Sequence, residues 1–254
     1  MPPTKKVRLD VLMVERGLVA SRERARALIL AGDVRVAGQP AGKAGVAVAA
    51  DAEITLVTPD HPFVGRGGLK LAHALETFTI DVRGRTGLDI GASTGGFTDV
   101  LLQRGAARVV ALDVGHGQLD WRIRTDPRVT VLERLNARTL TPDMLPDDAT
   151  TFGIITIDVS FISLRHVLPV LPALLEPDGN IVALVKPQFE ADRHEVGKGG
   201  IVRDEAVHRR VVEVVTAAAD ALGLTRAGVI DSPITGMEGN REFLLHLRGR
   251  IAAG

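Results

Sequence analysis

The sequence of 254 residues contains no cysteine. Disulfides, a thiolate nucleophile and cysteine-ligated metal sites are therefore excluded, and we expect no bound metal. The sequence also has no run of 18 apolar residues, and its charged start is not followed by the apolar segment of a signal peptide. We therefore expect neither a membrane span nor secretion, and a reducing cytoplasm suits the chain.

Aromatic residues make up only 3% of the chain, so surfaces on which nucleobases could stack are scarce. The 31 basic and 31 acidic residues leave no net charge, which alone argues against a nucleic-acid partner. The balance is uneven, however, because residues 1–43 hold nine Lys or Arg and four Asp or Glu. This local excess of positive charge suits binding to phosphate.

The glycine-rich stretch at residues 86–113 is the strongest local pattern. It predicts a strand at Leu88–Ile90, a turn at Gly91–Gly96, a helix at Phe97–Gln103 and a strand at Val109–Leu112, followed by Asp113. In such a βαβ unit the glycines let the backbone approach a ligand, and an acid about 20 residues further on can hold a ribose diol.

Several uses of this turn compete. A dinucleotide requires G-x-G-x-x-G, which fails at Ser93, whereas S-adenosylmethionine needs no pyrophosphate cradle and tolerates the variant. Gly91–Gly95 also reads G-x-S-x-G, the nucleophile elbow of serine hydrolases, but that fold places several strands before the elbow. A plain tight turn without a ligand is less favoured because Asp89 and Asp113 lie at the two strand ends.

Residues 1–59 form a small predicted α+β domain. Leu9, Leu12 and Met13 mark a helix that should stop at Gly17, and Ser21 can cap a second helix that ends at Gly32, before several short strands. Three arginines in the first turn of the second helix oppose the helix dipole, which suggests an anionic partner but equally fits a solvated charged face. The module resembles the alpha-L RNA-binding motif, through Ala31-Gly32-Asp33-Val34-Arg35-Val36.

Proline-rich residues predict an interdomain linker at 60–64 and a second domain at 65–254. In that domain, strands at Val129–Leu132, Phe152–Ile157 and Ile181–Val185 favour a mostly parallel sheet covered on both faces. Asp89, Asp113, Asp158 and Lys186 should then lie along one edge, and the glycine-rich loop 195–204 should be mobile and near the substrate. A final strand should begin at Glu242.

Taken together, the motifs resemble those of the TlyA family, ribosomal RNA ribose methyltransferases that join an RNA-binding motif to an FtsJ-like domain. The resemblance is carried by Ser21-Arg-Glu-Arg-Ala, Gly65-Arg66-Gly67-Gly68-Leu69-Lys70, the Gly91 turn, Asp113-Val-Gly-His-Gly-Gln, Ile157-Asp158-Val-Ser-Phe, Val185-Lys186-Pro-Gln-Phe-Glu and Gly197-Lys-Gly-Gly-Ile-Val-Arg-Asp. It implies an α/β, Rossmann-like S-adenosylmethionine-dependent methyltransferase sheet with a small N-terminal α+β RNA-binding domain.

The resemblance also implies residue roles. The catalytic set falls on Lys70, Asp158, Lys186 and Glu242, with Lys186 as the base and Glu238 as an alternative to Glu242. The cofactor-binding set is Gly91, Ser93, Gly95, Gly96, Phe97, Thr98, Asp113, Asn136 and Asp158. The RNA-binding set is Arg8, Arg22, Arg24, Arg26, Arg35 and Arg66.

The implied enzyme methylates cytidine 2′-hydroxyls in 16S rRNA, 23S rRNA or both, within ribosomal subunits, and uses S-adenosylmethionine. Two other classes of function stay open at this point. A non-catalytic RNA-binding assembly factor would keep the arginine helix without methyl transfer. A membrane-lytic hemolysin, a label also used for the family, would need an apolar span or a strongly amphipathic exposed helix.

Overall fold

The computed structural model describes residues 6–19, 21–30, 32–57, 61–236 and 239–249. The chain folds into two compact units, Met1–Arg66 and Gly67–Gly254. The predicted boundaries 1–59, 60–64 and 65–254 stay predictions. Some of the residues used above lie outside the described ranges: Ala31 of the RNA-binding signature, Pro59 and Asp60 at the predicted boundary, and Glu238.

The first unit has the predicted α+β character. Its elements are β1 (Lys6–Arg8), α1 (Leu9–Glu15), α2 (Arg22–Leu30), β2 (Val34–Val36), β3 (Gln39–Pro40), β4 (Ala47–Ala49) and β5 (Ile54–Leu56). As predicted, Ser21 begins the second helix, because its hydroxyl accepts a hydrogen bond from the Arg24 N–H at 3.1 Å. The apolar faces of both helices are buried against Val34 and Ile54.

The second unit alternates strands and helices. In order these are α3 (Gly67–Thr77), β6 (Thr86–Ile90), α4 (Gly96–Gln103), β7 (Arg108–Asp113), α5 (Trp121–Arg124), β8 (Val129–Glu133), β9 (Phe152–Ile157), β10 (Leu175–Val185), α6 (Pro187–Glu190), α7 (Glu205–Asp220), β11 (Leu224–Asp231) and β12 (Phe243–Gly249). Short 3-10 turns occupy several of the connections. No helix in the described part of the chain is both long enough and apolar enough to cross a membrane.

The strands of the second unit form one seven-stranded sheet in the order β11-β12-β10-β9-β6-β7-β8. The five strands from β10 to β8 run parallel, whereas β12 pairs antiparallel with both β10 and β11. This arrangement confirms the predicted Rossmann-like α/β class. The antiparallel β12 reverses the chain direction, so its first residues lie at the edge where the parallel strands end.

The core sits on both faces of this sheet, which explains the continuous apolar runs of its central strands. On one face, Leu88 and Ile155 belong to a buried cluster with Val211 and Val215 of α7. On the other face, a side chain on Gly87 would contact Leu101 of α4 at 3.2 Å. Burial on both sides leaves the strand ends as the places where polar groups can meet a ligand.

Gly91 connects β6 to the turn before α4 and lies against the end of β9. Its φ is +85°, and a Cβ added there would lie 2.4 Å from the Asp158 carbonyl oxygen. The Asp158 N–H donates to the Ile90 carbonyl at 2.9 Å, which fixes that approach. Only a residue without a side chain fits, so Gly91 places the turn directly beside Asp158.

Gly91→Ala should therefore cost more than backbone strain alone. We expect it to lower the free energy of unfolding by more than about 2 kcal/mol, since strain and a clash with backbone add. The matched control is Gly84→Ala, because Gly84 has φ +70° but no atom within 4 Å of the added Cβ. Urea unfolding followed by circular dichroism measures both. Equal losses in the two variants would contradict the close approach to Asp158.

Candidate active site

The sheet brings the predicted ionisable residues to one edge. Asp158 and Lys186 follow β9 and β10, which are parallel neighbours. Glu242 precedes β12, whose first residue Phe243 pairs with Val185, the last residue of β10. Lys186 and Glu242 are therefore the next residues along the same antiparallel ladder, and opposite positions in such a ladder lie about 5 Å apart between Cα atoms.

Lys186 and Asp158 form the first ion pair of the site. The Lys186 Nζ lies 2.6 Å from Asp158 Oδ1. It also donates a hydrogen bond to the Ser160 hydroxyl at 2.9 Å. The Lys186 and Asp158 side chains keep 11% and 22% of their surface exposed, so the pair is accessible from the side of Ser160.

Lys70 and Glu242 form the second ion pair. The Lys70 Nζ lies 2.5 Å from Glu242 Oε2, and the two side chains are only 7% and 3% exposed. Lys70 is therefore not an ordinary surface lysine. Gly67, one turn earlier on α3, is close enough to the first pair that an added Cβ would lie 3.8 Å from Asp158 Oδ2.

A buried carboxylate at Asp89 joins the helix that follows the glycine turn to the neighbouring strand. Asp89 has no exposed surface and accepts hydrogen bonds from the hydroxyls of Thr98 at 2.6 Å and Thr156 at 2.9 Å. Burial raises the pKa of Asp89 to about 6, the two threonine bonds oppose this shift, and the negative charge of Asp158 adds to it. Asp89 therefore ties α4 and β9 to β6 instead of meeting a ligand directly.

Asp113 lies at the end of β7 beside a small open cleft. Its carboxylate accepts hydrogen bonds from the backbone N–H groups of Ser93 at 2.8 Å and Gly115 at 2.6 Å. The cleft is lined by Ala92, Ser93, Ala111, Asp113, Gly115, Gln118, Leu119, Val131 and Glu133. A partly exposed carboxylate beside a glycine-rich turn can accept hydrogen bonds from the hydroxyls of a ribose diol, so these residues fit the nucleoside part of S-adenosylmethionine.

Some of the predicted cofactor residues lie together on the glycine-rich turn, whereas the side chains of others make hydrogen bonds within the protein. Gly91, Ser93 and Gly95 lie on the turn, with Gly95 at φ +94°, and Gly96 is the first residue of α4. Phe97 and Thr98 are buried in the first turn of α4.

Asn136 is near Asp113, because the Leu135 N–H donates to the Asp113 carbonyl at 3.2 Å. Its side-chain oxygen accepts from the Arg138 N–H at 3.0 Å. The Thr98 hydroxyl likewise donates to Asp89 within the protein. The cofactor roles of the Asn136 and Thr98 side chains therefore stay predictions.

The sequence reasoning missed two groups, Phe161 in the loop after Asp158 and Glu133 in the cleft beside Asp113. Phe161 is 92% exposed and has φ +63°, with its ring centroid 5.3 Å from that of Phe189. Glu133 accepts from the Gly117 N–H at 2.8 Å and contacts His116 Nδ1 at 2.7 Å, which holds the loop after Asp113. The sequence signal for Phe161 was its place three residues after Asp158, but its exposure depends on the conformation of the loop.

In the first unit, three of the predicted RNA-binding arginines surround one buried carboxylate. Asp10 Oδ2 lies 2.9, 3.2 and 3.3 Å from guanidinium nitrogens of Arg8, Arg22 and Arg26. Hydrogen bonding to Arg8 is the largest of the effects that hold the pKa of Asp10 well below its usual range. Asp10 therefore supplies, from within the chain, part of the negative charge that the arginine-rich first turn of the helix requires. The three arginine side chains remain about half exposed, and their RNA contacts stay predictions.

The other arginines have different surroundings. Arg24 donates to the carbonyl oxygens of Phe63 at 2.7 Å and His61 at 2.6 Å. Arg66 is 18% exposed and lies 3.8 Å from the buried Asp33. Arg35 is exposed and donates to the Gly38 carbonyl at 3.2 Å. Arg24 and Arg66 thus help to hold the segment at 61–66 to the first unit, and their RNA contacts also stay predictions.

Comparison with known proteins matches both units. Residues 63–249 match the FtsJ-like methyltransferase family, and residues 7–54 match the S4 domain family. The 16S/23S rRNA (cytidine-2′-O)-methyltransferase TlyA of Mycobacterium tuberculosis is 50% identical over 96% of this chain and 90% of its own length. A Bacillus subtilis protein described as a candidate rRNA methyltransferase, YqxC, is 50% identical over 96% of this chain and 86% of its own.

A solved structure from Streptococcus thermophilus, described as a candidate hemolysin, is also similar. It is 44% identical, superposes with a TM-score of 0.76, and the match covers 97% of this chain and 89% of that one. The likeness therefore extends over both units.

Asp89 generates a testable pH dependence. Below pH about 3 the carboxyl is mostly protonated in both the folded and the unfolded chain, so it contributes little pH dependence there. As the pH rises toward 6, the unfolded chain ionises first and the folded state loses stability, since the folded pKa is about 6. Asp89→Asn removes this loss, so its free energy of unfolding relative to the wild type should rise by about 2–3 kcal/mol between pH 4 and 7.

The measurement is urea unfolding of the wild type and the variant across that pH range. The control is Asp81→Asn, because Asp81 is exposed and pairs with Arg83, which lowers its pKa to about 2. The difference in free energy of unfolding between Asp81→Asn and the wild type should change little above pH 5. A flat difference for Asp89→Asn as well would contradict the burial argument.

Proposed function

Because the chain belongs to the TlyA family of FtsJ-like methyltransferases, we propose that it transfers a methyl group from S-adenosylmethionine to cytidine 2′-hydroxyls in 16S rRNA, 23S rRNA or both. The observation that carries this proposal is the convergence of Lys186–Asp158 and Lys70–Glu242 beside a glycine-rich turn and Asp113. The named activity of the M. tuberculosis relative supports the choice of substrate.

The cofactor, when bound, supplies an electrophilic methyl group, so the chain itself has to bind, orient and deprotonate. The turn at residues 91–96 and the carboxylate of Asp113 would hold the nucleoside part, with the diol hydroxyls donating to Asp113. Holding the two reactants in line is the larger share of the work, because a ribose hydroxyl is a weak nucleophile and gains most from fixed geometry.

We assign the proton acceptor to Lys186, whose ammonium must first release a proton to solvent before its amine can accept the proton of the 2′-hydroxyl. Its Nζ contacts the exposed Ser160, so it is the amine of the two pairs that faces the side open to RNA. Asp158 at 2.6 Å fixes the direction of that amine and stabilises the ammonium that forms when the 2′-hydroxyl gives up its proton. Lys70 is buried with Glu242 and would orient the site through its charge.

The first unit would supply binding to the RNA backbone. Arg8, Arg22 and Arg26 keep about half of their side-chain surface exposed around one carboxylate, which leaves a cluster with excess positive charge. Such contacts are sensitive to salt and largely independent of base sequence. The target nucleotide would then be presented at the sheet edge in the second unit.

A non-catalytic assembly factor is the main competing function. It would bind RNA through the first unit but would have no use for two lysine–carboxylate pairs at the strand ends. The hemolysin description belongs to a relative, and no feature of the residues that the structure describes favours that activity. Incubation of the protein with tritiated S-adenosylmethionine and separated, unmodified 30S and 50S subunits tests the proposal. Label in either subunit supports it, and absence of label from both contradicts it.

Lys186→Arg tests the assignment of the base. Arginine keeps the charge and can still pair with Asp158, but it does not release its proton near neutral pH, so it cannot accept one. We expect the rate at saturating substrate to fall by about 100-fold or more, with cofactor affinity changed by less than about threefold. Single-turnover methyl transfer and calorimetry measure the two quantities.

Arg104→Lys is the control, an exchange between the same two residue types at an exposed position of the second unit outside the site, and should keep the wild-type rate. Full activity of Lys186→Arg would show that another group accepts the proton.

Asp113→Asn tests the cofactor site. The substitution keeps the side-chain size but removes the charged acceptor for the ribose hydroxyls, so we expect the dissociation constant of S-adenosylmethionine to rise by about tenfold or more. Asp143→Asn, at an exposed residue outside the cleft, should leave it unchanged. Isothermal titration calorimetry measures both. An unaltered constant for Asp113→Asn would remove this residue from the cofactor site.

A further inference from the structure

Glu190 is a buried carboxylate that no step of the proposed reaction uses. It ends α6, four residues after Lys186, and its side chain is 2% exposed. It accepts hydrogen bonds from the Ser163 hydroxyl and the Leu164 N–H, both at 2.6 Å. Burial raises the pKa of Glu190, which the two bonds and the nearby Arg165 oppose.

The partners of Glu190 belong to the loop that begins with Asp158. Glu190 therefore joins the segment after β9 to the segment after β10, the two segments that carry the Lys186–Asp158 pair. Two further contacts join the same segments: Lys186 Nζ to Ser160 Oγ at 2.9 Å, and the ring of Phe161 to that of Phe189 at 5.3 Å. These contacts follow in the same order along both segments. Glu190 makes the last of them, and it is the most buried.

The loop needs such a restraint because its backbone is strained. Phe161 has φ +63°, a left-handed conformation that a bulky residue keeps only where its surroundings enforce it. The ring is 92% exposed, so core packing does not enforce it. The bonds from Ser163 and Leu164 to Glu190 hold the chain two and three residues further on.

A buried carboxylate is a costly way to join two loops, since apolar packing could do so without desolvating a charge. What a carboxylate adds is direction, because its two oxygens accept one hydroxyl and one backbone N–H at once. Arg165 completes the arrangement, with its Nε donating to Ser163 Oγ at 3.1 Å. The geometry specifies one conformation of the loop after Asp158.

We propose that Glu190 is a positioning residue that fixes the loop 158–164 so that Asp158 and Ser160 hold the Lys186 amine. This inference rests on the proposed function for its effect on rate. The restraint of the loop by one carboxylate does not depend on which reaction is catalysed. The two parts can therefore be tested separately.

The structural test is hydrogen exchange of the peptide spanning residues 158–165 in the full chain. Glu190→Gln keeps the size but turns one acceptor into an NH₂ group facing a donor, so exchange in this peptide should accelerate by about tenfold or more. Val215→Ala, in the core of α7, serves as a control for general destabilisation. Acceleration beyond that of Val215→Ala supports the proposal, and equal exchange overturns it.

The kinetic test separates kcat from KM on whichever ribosomal subunit the wild type methylates. Glu190→Gln should lower kcat by about tenfold or more, with KM and the cofactor dissociation constant within about threefold, since the binding residues are intact. Glu176→Gln, which breaks a surface pair with Arg85, should match the wild type. Wild-type kcat in Glu190→Gln would overturn the positioning role.

Ser163→Ala provides a second variant if Glu190→Gln does not fold. It removes one of the two donors and should produce part of the same acceleration and the same kcat loss. The double variant should lose no more than Glu190→Gln alone, because the bond that Ser163→Ala removes is one of the two that Glu190→Gln already disturbs. If the wild type methylates no subunit, the proposed function fails, and the exchange comparison still decides whether Glu190 holds the loop.

Discussion

The antiparallel pairing of β12 with β10 is the constraint on which the site depends. The parallel strands can place only the residues that follow them at this edge, which gives Asp158 and Lys186. Because β12 runs the other way, the residue that precedes it, Glu242, arrives at the same edge and opposite Lys186. Lys70 then enters from α3 and completes two lysine–carboxylate pairs. A fully parallel sheet would leave Glu242 at the opposite end.

Burial gives the two pairs different characters. Lys70 and Glu242 are almost fully removed from water, and a buried ion pair contributes little net stability because desolvation offsets the attraction. Lys186 and Asp158 keep part of their surface exposed. The inner pair therefore suits a fixed electrostatic background, and the outer pair suits contact with a substrate. Asp89 is fully buried and links α4 to β9 through the hydroxyls of Thr98 and Thr156.

The sequence predicts the order of elements well and the loops poorly. Apolar runs bounded by glycine identify the central strands, and the rule that ligands bind at the ends of parallel strands selects Asp158, Lys186 and Asp113. Glu242 follows only from the family resemblance, because no local pattern shows that the last strand is antiparallel and lies between two other strands.

The contacts that the sequence does not reveal are long-range or depend on loop conformation. Glu190 meets Ser163 across 27 positions of the sequence, and Phe161 is exposed by a backbone angle that its residue type disfavours. In the first unit, the internal partner of the arginines, Asp10, is 12 and 16 positions from Arg22 and Arg26. Propensity and periodicity describe neighbours along the chain, so they contain no information on these pairs.

The central claim is that the two ion pairs serve attack by a ribose oxygen. The most direct test is the chemical identity of the product: rRNA from subunits treated with the protein and S-adenosylmethionine is digested to nucleosides and analysed by mass spectrometry. The account predicts 2′-O-methylcytidine, with the added methyl on the sugar fragment. A methyl group on the base fragment would contradict it, because it would mean that the site activates a base atom instead of the ribose hydroxyl.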